Sequence, residues 1–415
     1  MTTYRPLPDR SEVFYEYTSY AFGPEDGVPA YDPEEHDTPR ATTGARRGLF
    51  EPDADDDRPR AVCKHYWLEA FVRGDRHPMA GLAAVATPPE YRRNGYVGQL
   101  LERSLEEYRD RGTSLAALWP FRYRFYRRYG WDTANRIVTH EFDPEILSFA
   151  RNAGSAGSFV RVSADEFDAL EDAYAASPPT LAIDRSERWW RHRVFENHGT
   201  DPFVYAYERD GTVAGYLIYR IDGDWGEKTM SISELVAVDR EARLALLAFC
   251  SDHDSQIERI ELRVSERFPL RESAMEPDRI ETTVADGPMV RIVDVERALS
   301  TLAASGERRS LSVAVDDPLV DWNDGAFRLE ASDGETICER IDAAEPEGSE
   351  QRIDLNGTID PDATIDVAAL SQLVVGARSA TDLERTGRLE VATPDILDAL
   401  DTLFPETTVY LGDHF

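Results

Sequence analysis

A segment rich in arginine and glycine links a predicted strand to a predicted helix. It reads Arg92-Arg93-Asn94-Gly95-Tyr96-Val97-Gly98 and follows an apolar strand that ends near Val85 and Thr87. Backbone N–H groups at the start of a helix bind phosphate readily, and glycine allows a phosphate to approach closely. The two arginines add charge that suits a polyanion. An ordinary capped turn is the alternative, but the strand before and the helix after favour a pyrophosphate site.

The end of the preceding strand supplies a second predicted contact. A splayed edge at Val85 and Thr87 would leave backbone groups free to hydrogen-bond an extended amide chain such as pantetheine. Together with the turn from Arg92 to Gly98, this edge predicts a binding site for a coenzyme A thioester.

Tyrosines follow at a spacing that suits proton transfer. Tyr123, Tyr126 and Tyr129 recur every three residues and would share one face of a helix. A phenol with its ordinary pKa of about 10 is a plausible acid for a thiolate leaving group. An aromatic stripe that packs into the core is the alternative, and spacing alone does not choose among the three.

The charge balance excludes some classes of partner. The chain has 415 residues, 79 of them acidic and 46 basic, which gives a net charge of -33. Nucleic acid and anionic membranes would be repelled. Since the carboxylates spread from Glu51 to Asp413, an acidic patch for a cationic ligand explains them poorly. We interpret the charge as adaptation to concentrated salt, where the Debye length is about 3 Å.

Cysteine and histidine usage points to no disulfide framework and no metal site. Cys63, Cys250 and Cys338 are few and far apart, and the histidines lack metal-ligand spacing. The amino terminus lacks the apolar core of a signal peptide, and no apolar run is long enough to cross a bilayer. We therefore expect a soluble, cytoplasmic protein.

The order of predicted elements indicates three domains, of α/β and α+β class, over residues 1–150, 151–290 and 291–415. In the first, residues 40–60 are predicted to be an exposed loop, 65–73 and 78–87 strands, 95–111 a helix and 115–118 a buried strand. A small-residue linker at 151–158 precedes the second domain.

The second domain repeats this order but lacks the phosphate turn. We predict a hairpin of strands 203–208 and 213–221, a strand at 232–238, a helix at 241–249 and a strand at 260–264. No glycine stands at its strand-to-helix turn, where the segment from Val236 to Leu247 occupies the place. Without glycine the amides turn inward less easily. We expect a structural copy that has lost the cofactor.

The third domain is predicted to be a small α+β module without catalytic spacing. Strands are expected at 310–315, 326–331 and 352–355, with a polar loop at 343–351. Helices are expected at 367–375 and 394–403, capped by Asp366 and Thr393, and Pro394 suits the first helical position.

The turn Arg92-Arg93-Asn94-Gly95-Tyr96-Val97 resembles the acetyl-CoA signature of the GNAT superfamily of N-acetyltransferases, Gln/Arg-x-x-Gly-x-Gly/Ala, with Val97 in place of the small last residue. With the second copy, the third module and the segment 125–131, the whole chain resembles the Eis (enhanced intracellular survival) branch. The resemblance implies tandem GNAT-like domains, the second degenerate, and a C-terminal domain similar to sterol carrier proteins. It also implies a hexamer and acetyl-CoA as cosubstrate, without a metal.

The resemblance also assigns roles to two catalytic residues. Tyr126 matches the tyrosine that protonates the departing CoA thiolate. Phe415, the final residue, matches an aromatic residue whose terminal carboxylate reaches the first domain's site. A carboxylate with a pKa of about 3.5 is a weak base toward an ammonium, so we expect it to orient the amine and to stabilise positive charge. His414 adjoins it and could relay a proton.

The expected acceptor is a small-molecule primary amine, such as an aminoglycoside, a polyamine or a lysine side chain. In acetyltransferases of this type the amino-terminal helix lines the acceptor pocket. Here it contains aromatic residues followed by two carboxylates, which would suit a cation: Phe14, Tyr17, Tyr20, Phe22, Glu25 and Asp26. A half-buried helix with a charged loop is the alternative. A non-catalytic sensor of acyl-CoA or lipid is the alternative for the whole protein.

Overall fold

The chain folds into two compact units. The computed structural model describes residues 2–8, 10–52, 57–151, 156–176, 178–196, 199–301, 309–332, 335–341 and 361–415. One unit comprises residues 1–134 and 288–415, and the other comprises residues 135–287. The predicted domain ranges 1–150, 151–290 and 291–415 stay predictions. The chain leaves the first unit at Ala134 and returns to it at Pro288.

The elements are defined as follows. The strands are β1 (Thr3–Pro6), β2 (Ala45–Phe50), β3 (Ala61–Val72), β4 (Asp75–Ala86), β5 (Leu115–Leu118), β6 (Asp132–Thr133), β7 (Arg136–Phe142), β8 (Ser158–Arg161), β9 (Phe203–Arg209), β10 (Thr212–Asp222), β11 (Thr229–Ala237), β12 (Arg259–Val264), β13 (Glu281–Asp286), β14 (Met289–Ile292), β15 (Arg309–Asp316), β16 (Gly325–Ser332), β17 (Glu335–Arg340), β18 (Ala363–Asp366) and β19 (Leu389–Val391). The α-helices are α1 (Ser11–Phe22), α2 (Pro33–His36), α3 (Pro39–Thr42), α4 (Tyr96–Asp110), α5 (Tyr123–Arg127), α6 (Ser148–Arg151), α7 (Asp168–Ala175), α8 (Glu187–Trp189), α9 (Arg240–Ser251), α10 (Leu270–Ser273), α11 (Val295–Thr301), α12 (Val367–Val374), α13 (Ala380–Arg385) and α14 (Pro394–Leu403).

The first sheet lies in the first unit and has the strand order β1-β2-β3-β4-β5-β14-β6. β4 and β5 are parallel and are joined through α4. The buried face of α4, with Leu101, Leu105 and Tyr108 at helical spacing, packs on one face of this sheet. Burying each leucine stabilises the fold by about 2 kcal/mol. The opposite face is covered by Phe14 and Tyr17 of α1. The sheet is therefore a layer between two sets of helical contacts.

The second sheet belongs to the second unit and has the order β13-β7-β12-β11-β10-β9-β8. Its parallel pair, β11 and β12, is joined through α9, as β4 and β5 are joined through α4. The β9–β10 hairpin turns at Asp210 and Gly211, both with positive φ. The repeat predicted from the element order is confirmed.

The third sheet, β17-β16-β15-β18-β19, lies in the first unit. Asp366 caps α12, because its side chain accepts a hydrogen bond from the amide of Ala369. Arg73, in the turn between β3 and β4, donates to the carbonyls of Leu373, Val374 and Pro405 near the C-terminus of α12. This guanidinium satisfies carbonyls that a helix end leaves without partners.

Most predicted elements of the first domain are confirmed, with one error. The predicted exposed loop at 40–60 contains β2, whose residues 47–50 are buried. The strand was missed because its arginines suggest an exposed segment. Arg47 is nevertheless buried, since it forms an ion pair with Glu107 at 2.6 Å. Residues 53–56 lie outside the described residues.

In the third domain, the strands at 310–315 and 326–331 and both helices are confirmed. Pro394 stands in the first turn of α14, but the Thr393 side chain makes no capping hydrogen bond, so that part of the prediction is wrong. The predicted loop 343–351 and strand 352–355 lie outside the described residues, as do 152–155 of the predicted linker.

Candidate active site

The end of β4 separates from β5. The two strands pair from Met79–Leu115 to Leu82–Leu118, and beyond Leu82 the register with β3 shifts at a bulge where Ala84 has a φ of 51°. Among the described strands, β3 alone still pairs with the end of β4. The hydroxyl of Thr87 is buried without a hydrogen-bond partner in the described residues. The predicted splayed edge is therefore present, with a polar atom left to satisfy.

The turn after β4 presents uncapped amides. Arg93 (φ 65°) and Gly95 (φ 81°) are both in the left-handed region, and Gly95 precedes α4 without any side-chain cap hydrogen bond. The first intrahelical bond runs from Gln99 N–H to Gly95 C=O. The N–H groups of residues 95–98 thus have no acceptor in the helix. An anion can bind them.

Arginine charge surrounds these amides. Arg92 Nε donates to Thr87 C=O at 3.0 Å, and its guanidinium lies over the ring of Tyr20. Arg93 and Asn94 are exposed beside the turn, and no acidic residue occupies the first turn of α4. Val97 packs against the core. The residues present fit the diphosphate of coenzyme A.

Tyr126 lies on the α4 side of the first sheet, 3% exposed. Its ring packs edge-on against Phe121 and Phe125, with centroids 5.6 and 5.1 Å away. Burial, with a smaller contribution from Cys63, raises the pKa of Tyr126 above its ordinary value. The expected ordinary pKa is therefore wrong, because the phenolate would lack solvation in this apolar environment. The phenol stays protonated and is available as a donor.

The neighbouring tyrosines have different environments. Tyr123 donates to Asp132 Oδ1 at 2.8 Å, and burial and this bond raise the pKa of Tyr123 to about 12. Tyr129 lies beyond the end of α5, and a Cβ added to Gly98 would lie 3.2 Å from its hydroxyl oxygen. Tyr129 therefore adjoins the first turn of α4. Sequence reasoning missed this contact.

The carboxyl terminus packs inside the first domain. The ring of Phe415 lies against Gly81 of β4, where an added Cβ would be 2.9 Å away, and it packs on Tyr66. Trp119 Nε1 donates to the backbone carbonyl of Asp413 at 2.9 Å, and His414 stacks on Trp119 with a centroid distance of 3.7 Å. A frayed, solvated terminus is excluded by these contacts.

Tyr126 and Phe415 approach the sheet from opposite faces. Ala80 and Leu82 belong to the core on the α4 side, so Gly81 between them faces the other side. Phe415 packs on that side, whereas Tyr126 belongs to the α4 side.

The amino-terminal helix exposes only part of its aromatic face. Phe14 and Tyr17 are buried in the core, while Tyr20 and Phe22 are 40% and 58% exposed. Glu25 and Asp26 lie in an exposed 3₁₀ turn, Pro24–Asp26. Half of the predicted aromatic wall therefore faces outward. The acceptor role of this helix stays a prediction.

Sequence reasoning missed a buried polar cluster under α4. His65 contacts Cys63 Sγ at 3.3 Å and Ser104 Oγ at 3.1 Å, and Glu107 accepts from Arg47. Burial lowers the pKa of His65 and raises the pKa of the Cys63 thiol to about 12. The thiol is therefore un-ionised and inaccessible, and it cannot serve as a nucleophile. Because alternate residues of a strand lie on the same face of a sheet, the sequence of β3 could have predicted that Cys63 and His65 are neighbours.

The described residues contain no group of three or more histidine, cysteine, aspartate or glutamate side chains that could hold a metal ion. In the same part of the chain, no helix combines the length and the apolar character needed to cross a membrane. The three cysteines are free and buried.

Family models match most of the chain. Residues 4–134 and 181–292 match two models of the acetyltransferase (GNAT) domain, and residues 295–412 match the sterol carrier protein domain. The fold is thus two GNAT domains followed by a sterol carrier protein domain, as predicted. Hereafter we call them the first, second and third domains.

Similar proteins carry related names. An uncharacterized N-acetyltransferase of Streptomyces griseus is 27% identical over 345 residues, covering 78% of both chains. The structure of a probable N-acyltransferase from Enterococcus faecalis has a TM-score of 0.84 at 20% identity, and that of Eis1 from Mycobacterium abscessus has 0.76 at 24%; each covers all of both chains. The likeness to Eis1 concerns the fold. The protein is an N-acetyltransferase of the GNAT type.

Proposed function

We propose that this enzyme transfers the acetyl group of acetyl-CoA to a primary amine in the first domain. The observation that carries the proposal is the set of uncapped amides at residues 95–98, flanked by Arg92 and Arg93. They would bind the diphosphate, while Val85 and Thr87 at the splayed edge of β4 would bond the pantetheine amides. Asn94, Tyr96, Val97 and Gly98 complete the proposed cofactor site.

The proposed chemistry is direct attack. The amine nitrogen forms a bond to the acetyl carbon, the carbon–sulfur bond breaks, and the phenol of Tyr126 gives its proton to sulfur. The amine's proton leaves to solvent, from which Tyr126 is reprotonated. The carboxylate of Phe415 orients the amine and stabilises its developing positive charge. Holding both substrates in place supplies much of the acceleration. Cys63 is fully buried and is therefore not available to form a covalent intermediate.

The acceptor class is the finer part of the proposal. An aminoglycoside, a polyamine or a lysine side chain would present a cation to the exposed carboxylates of Glu25 and Asp26, which follow α1. A small-molecule amine suits the acidic protein better than a nucleic acid or an anionic membrane does.

The test combines binding and turnover. Calorimetry should detect CoA binding, and acetyl-CoA offered with spermidine, kanamycin and a lysine peptide should release free CoA thiol with at least one amine. No heat of CoA binding in concentrated salt would contradict the proposed cofactor site. Binding without thiol release from any amine would contradict the acceptor class.

The alternative function, a non-catalytic sensor of acyl-CoA or lipid, would place an apolar ligand in the third domain. A cavity in the third domain is lined by Leu, Val, Ile, Ala and Phe side chains but holds only about 10 Å³ for a water-sized molecule. That is room for about one water. Among the described residues, this cavity is far too small for a lipid.

We also propose that the net charge of -33 adapts the protein to concentrated salt. We propose in addition that the enzyme is cytoplasmic and forms a homo-oligomer, which would be a hexamer by its resemblance to the Eis branch. Salt screens repulsion among carboxylates, so the midpoint of thermal unfolding should rise between 0.1 and 2 M KCl. An unchanged midpoint would contradict the adaptation. Sedimentation in 2 M KCl tests the hexamer.

A further inference from the structure

The helix that carries Tyr126 is bonded to the third domain by charged side chains, which we call the Asp132 cluster: Tyr123, Arg127, Asp132, Asp366 and Arg388. Asp132 follows α5 and its side chain is 3% exposed. Its Oδ1 accepts from the Tyr123 hydroxyl at 2.8 Å, and its Oδ2 accepts from Arg388 at 2.7 Å. One buried carboxylate thus joins the first residue of α5 to the third domain.

The last residue of α5 is held by the same cluster. Arg127 Nε lies 3.3 Å from Asp132 Oδ2, and its terminal nitrogen donates to Asp366 Oδ2 at 3.2 Å. Asp366 also accepts from Arg388 at 3.0 Å. Both ends of α5 therefore share a charged network with two residues of the third domain.

The third-domain side of the network is itself fixed. Asp366 caps α12 by accepting from Ala369 N–H at 2.7 Å. Gln372 on α12 accepts from Arg388 at 2.9 Å and donates to the Thr133 carbonyl at 2.9 Å. The cluster therefore links α5 to a capped helix end whose own position is set.

A second contact holds the turn that follows α5. Arg291 of β14 donates to the Tyr129 carbonyl and, at 2.6 and 2.8 Å, to both carboxylate oxygens of Asp317, in a fully buried ion pair. Gly130 has a φ of 84°, and a Cβ there would overlap the Arg291 guanidinium. Residues after 288 therefore fix the position of α5 and of the turn at Tyr129 and Gly130 that follows it.

We propose that the third domain positions Tyr126 for proton transfer, with Asp366 and Arg388 as positioning residues. The inference rests on the proposed role of Tyr126. A helix of five residues is unstable by itself, so its orientation must come from contacts with its surroundings. The Asp132 cluster supplies directional contacts at both ends, and proton transfer is sensitive to displacements of about 1 Å. Asp366 and Arg388 thus act on catalysis through α5, without touching substrate.

The variant Asp366→Asn tests this inference. Asparagine keeps the cap of α12 but removes the charge that attracts Arg127 and Arg388. The matched control is Asp239→Asn, which likewise keeps a helix cap, on α9, and loses an arginine partner, Arg209. With acetyl-CoA and the fastest amine among spermidine, kanamycin and a lysine peptide, Asp366→Asn should lower kcat about tenfold. It should leave the Kd for CoA unchanged, and Asp239→Asn should change neither.

A double variant separates positioning from loss of stability. If Asp366 acts through Tyr126, then Tyr126→Phe with Asp366→Asn should be no slower than Tyr126→Phe alone. If the two losses of kcat are additive in the double variant, the inference is overturned and the proposed function stands. The same holds if Asp366→Asn keeps the parental kcat while Tyr126→Phe is slow. A parental rate in Tyr126→Phe would overturn the role of Tyr126 and the inference together.

Hydrogen exchange measures the same link without an acceptor amine. Amides of residues 121–131 should exchange faster in Asp366→Asn than in the parent or in Asp239→Asn, because α5 loses its anchors. Unchanged exchange across this segment would overturn the inference independently of any rate measurement.

Discussion

The central helices of the two GNAT domains begin in different ways. Before α4, Gly95 leaves the amides uncapped, and Arg92 and Arg93 lie beside them. Before α9, Asp239 accepts from Ala242 N–H at 2.8 Å, and Arg209 pairs with both Asp239 and Glu241. The second domain thus supplies its own carboxylate where the first leaves room for an anion. A capping carboxylate at this position would be enough to prevent anion binding without a change of fold.

The largest effect should come from giving the first domain the capping chemistry of the second. We expect Gly95→Asp to weaken CoA binding by about a hundredfold or more, since a carboxylate would repel the diphosphate and compete for the amides. Calorimetry measures the Kd. The control is Gly211→Asp, at a turn glycine with the same φ of 81° and nothing near its added Cβ. Equal weakening in both variants would show that a general loss of stability, not the charge at the start of α4, is responsible.

Two equally buried tyrosines, Tyr126 in the first domain and Tyr219 in the second, allow the catalytic role to be tested. Tyr126→Phe should lower kcat about a hundredfold while leaving the Kd for CoA unchanged, as expected for loss of a general acid. Tyr219 of the second domain is also 3% exposed, so Tyr219→Phe should keep the parental kcat. Steady-state kinetics with the best amine measures both. A similar loss of kcat in the two variants would contradict the assignment of Tyr126 as the general acid.

The terminal carboxylate should have a smaller effect. Adding one glycine after Phe415 moves the carboxylate but keeps the ring against Gly81. We expect kcat to fall about tenfold because the amine loses its orienting charge. Phe415→Leu keeps the carboxylate and serves as the control for lost packing. A parental kcat in the extended chain would rule out a role for this group.

The smallest effect should be on the stability of the second domain. Asp239→Ala should destabilise it by about 1 kcal/mol through loss of the cap, without a change in CoA binding. Hydrogen bonds from Arg209 and Ala242 lower the pKa of Asp239 in the folded protein. Its contribution is therefore complete above its ordinary pKa of about 3.9 and is lost as the pH falls through the lower folded value. Urea unfolding at pH 7 and pH 3 of parent and variant should show a difference that shrinks at pH 3.

Sequence patterns predicted the elements that use one dominant signal. Apolar periodicity located β5, α4 and α9, and the cap signal located α12. Apolar periodicity did not locate β2, because an arginine in a sequence is expected at the surface. Arg47 is buried only because it pairs with Glu107, which lies far along the chain. The uncapped turn before α4 could be located from the sequence because its residues, Arg92 to Gly98, are contiguous. The Asp132 cluster could not, since Asp132, Asp366 and Arg388 meet only in the fold.

The return of the chain at Pro288 has a consequence for biosynthesis. β14 lies between β5 and β6, so the first sheet, against which Tyr126 of α5 packs, cannot be completed until the ribosome has made residues 135–287. Since domains generally fold as units during synthesis, the second domain can complete its own sheet before β14 of the first sheet has been made. The sheet of the second domain is thus finished before the sheet of the first.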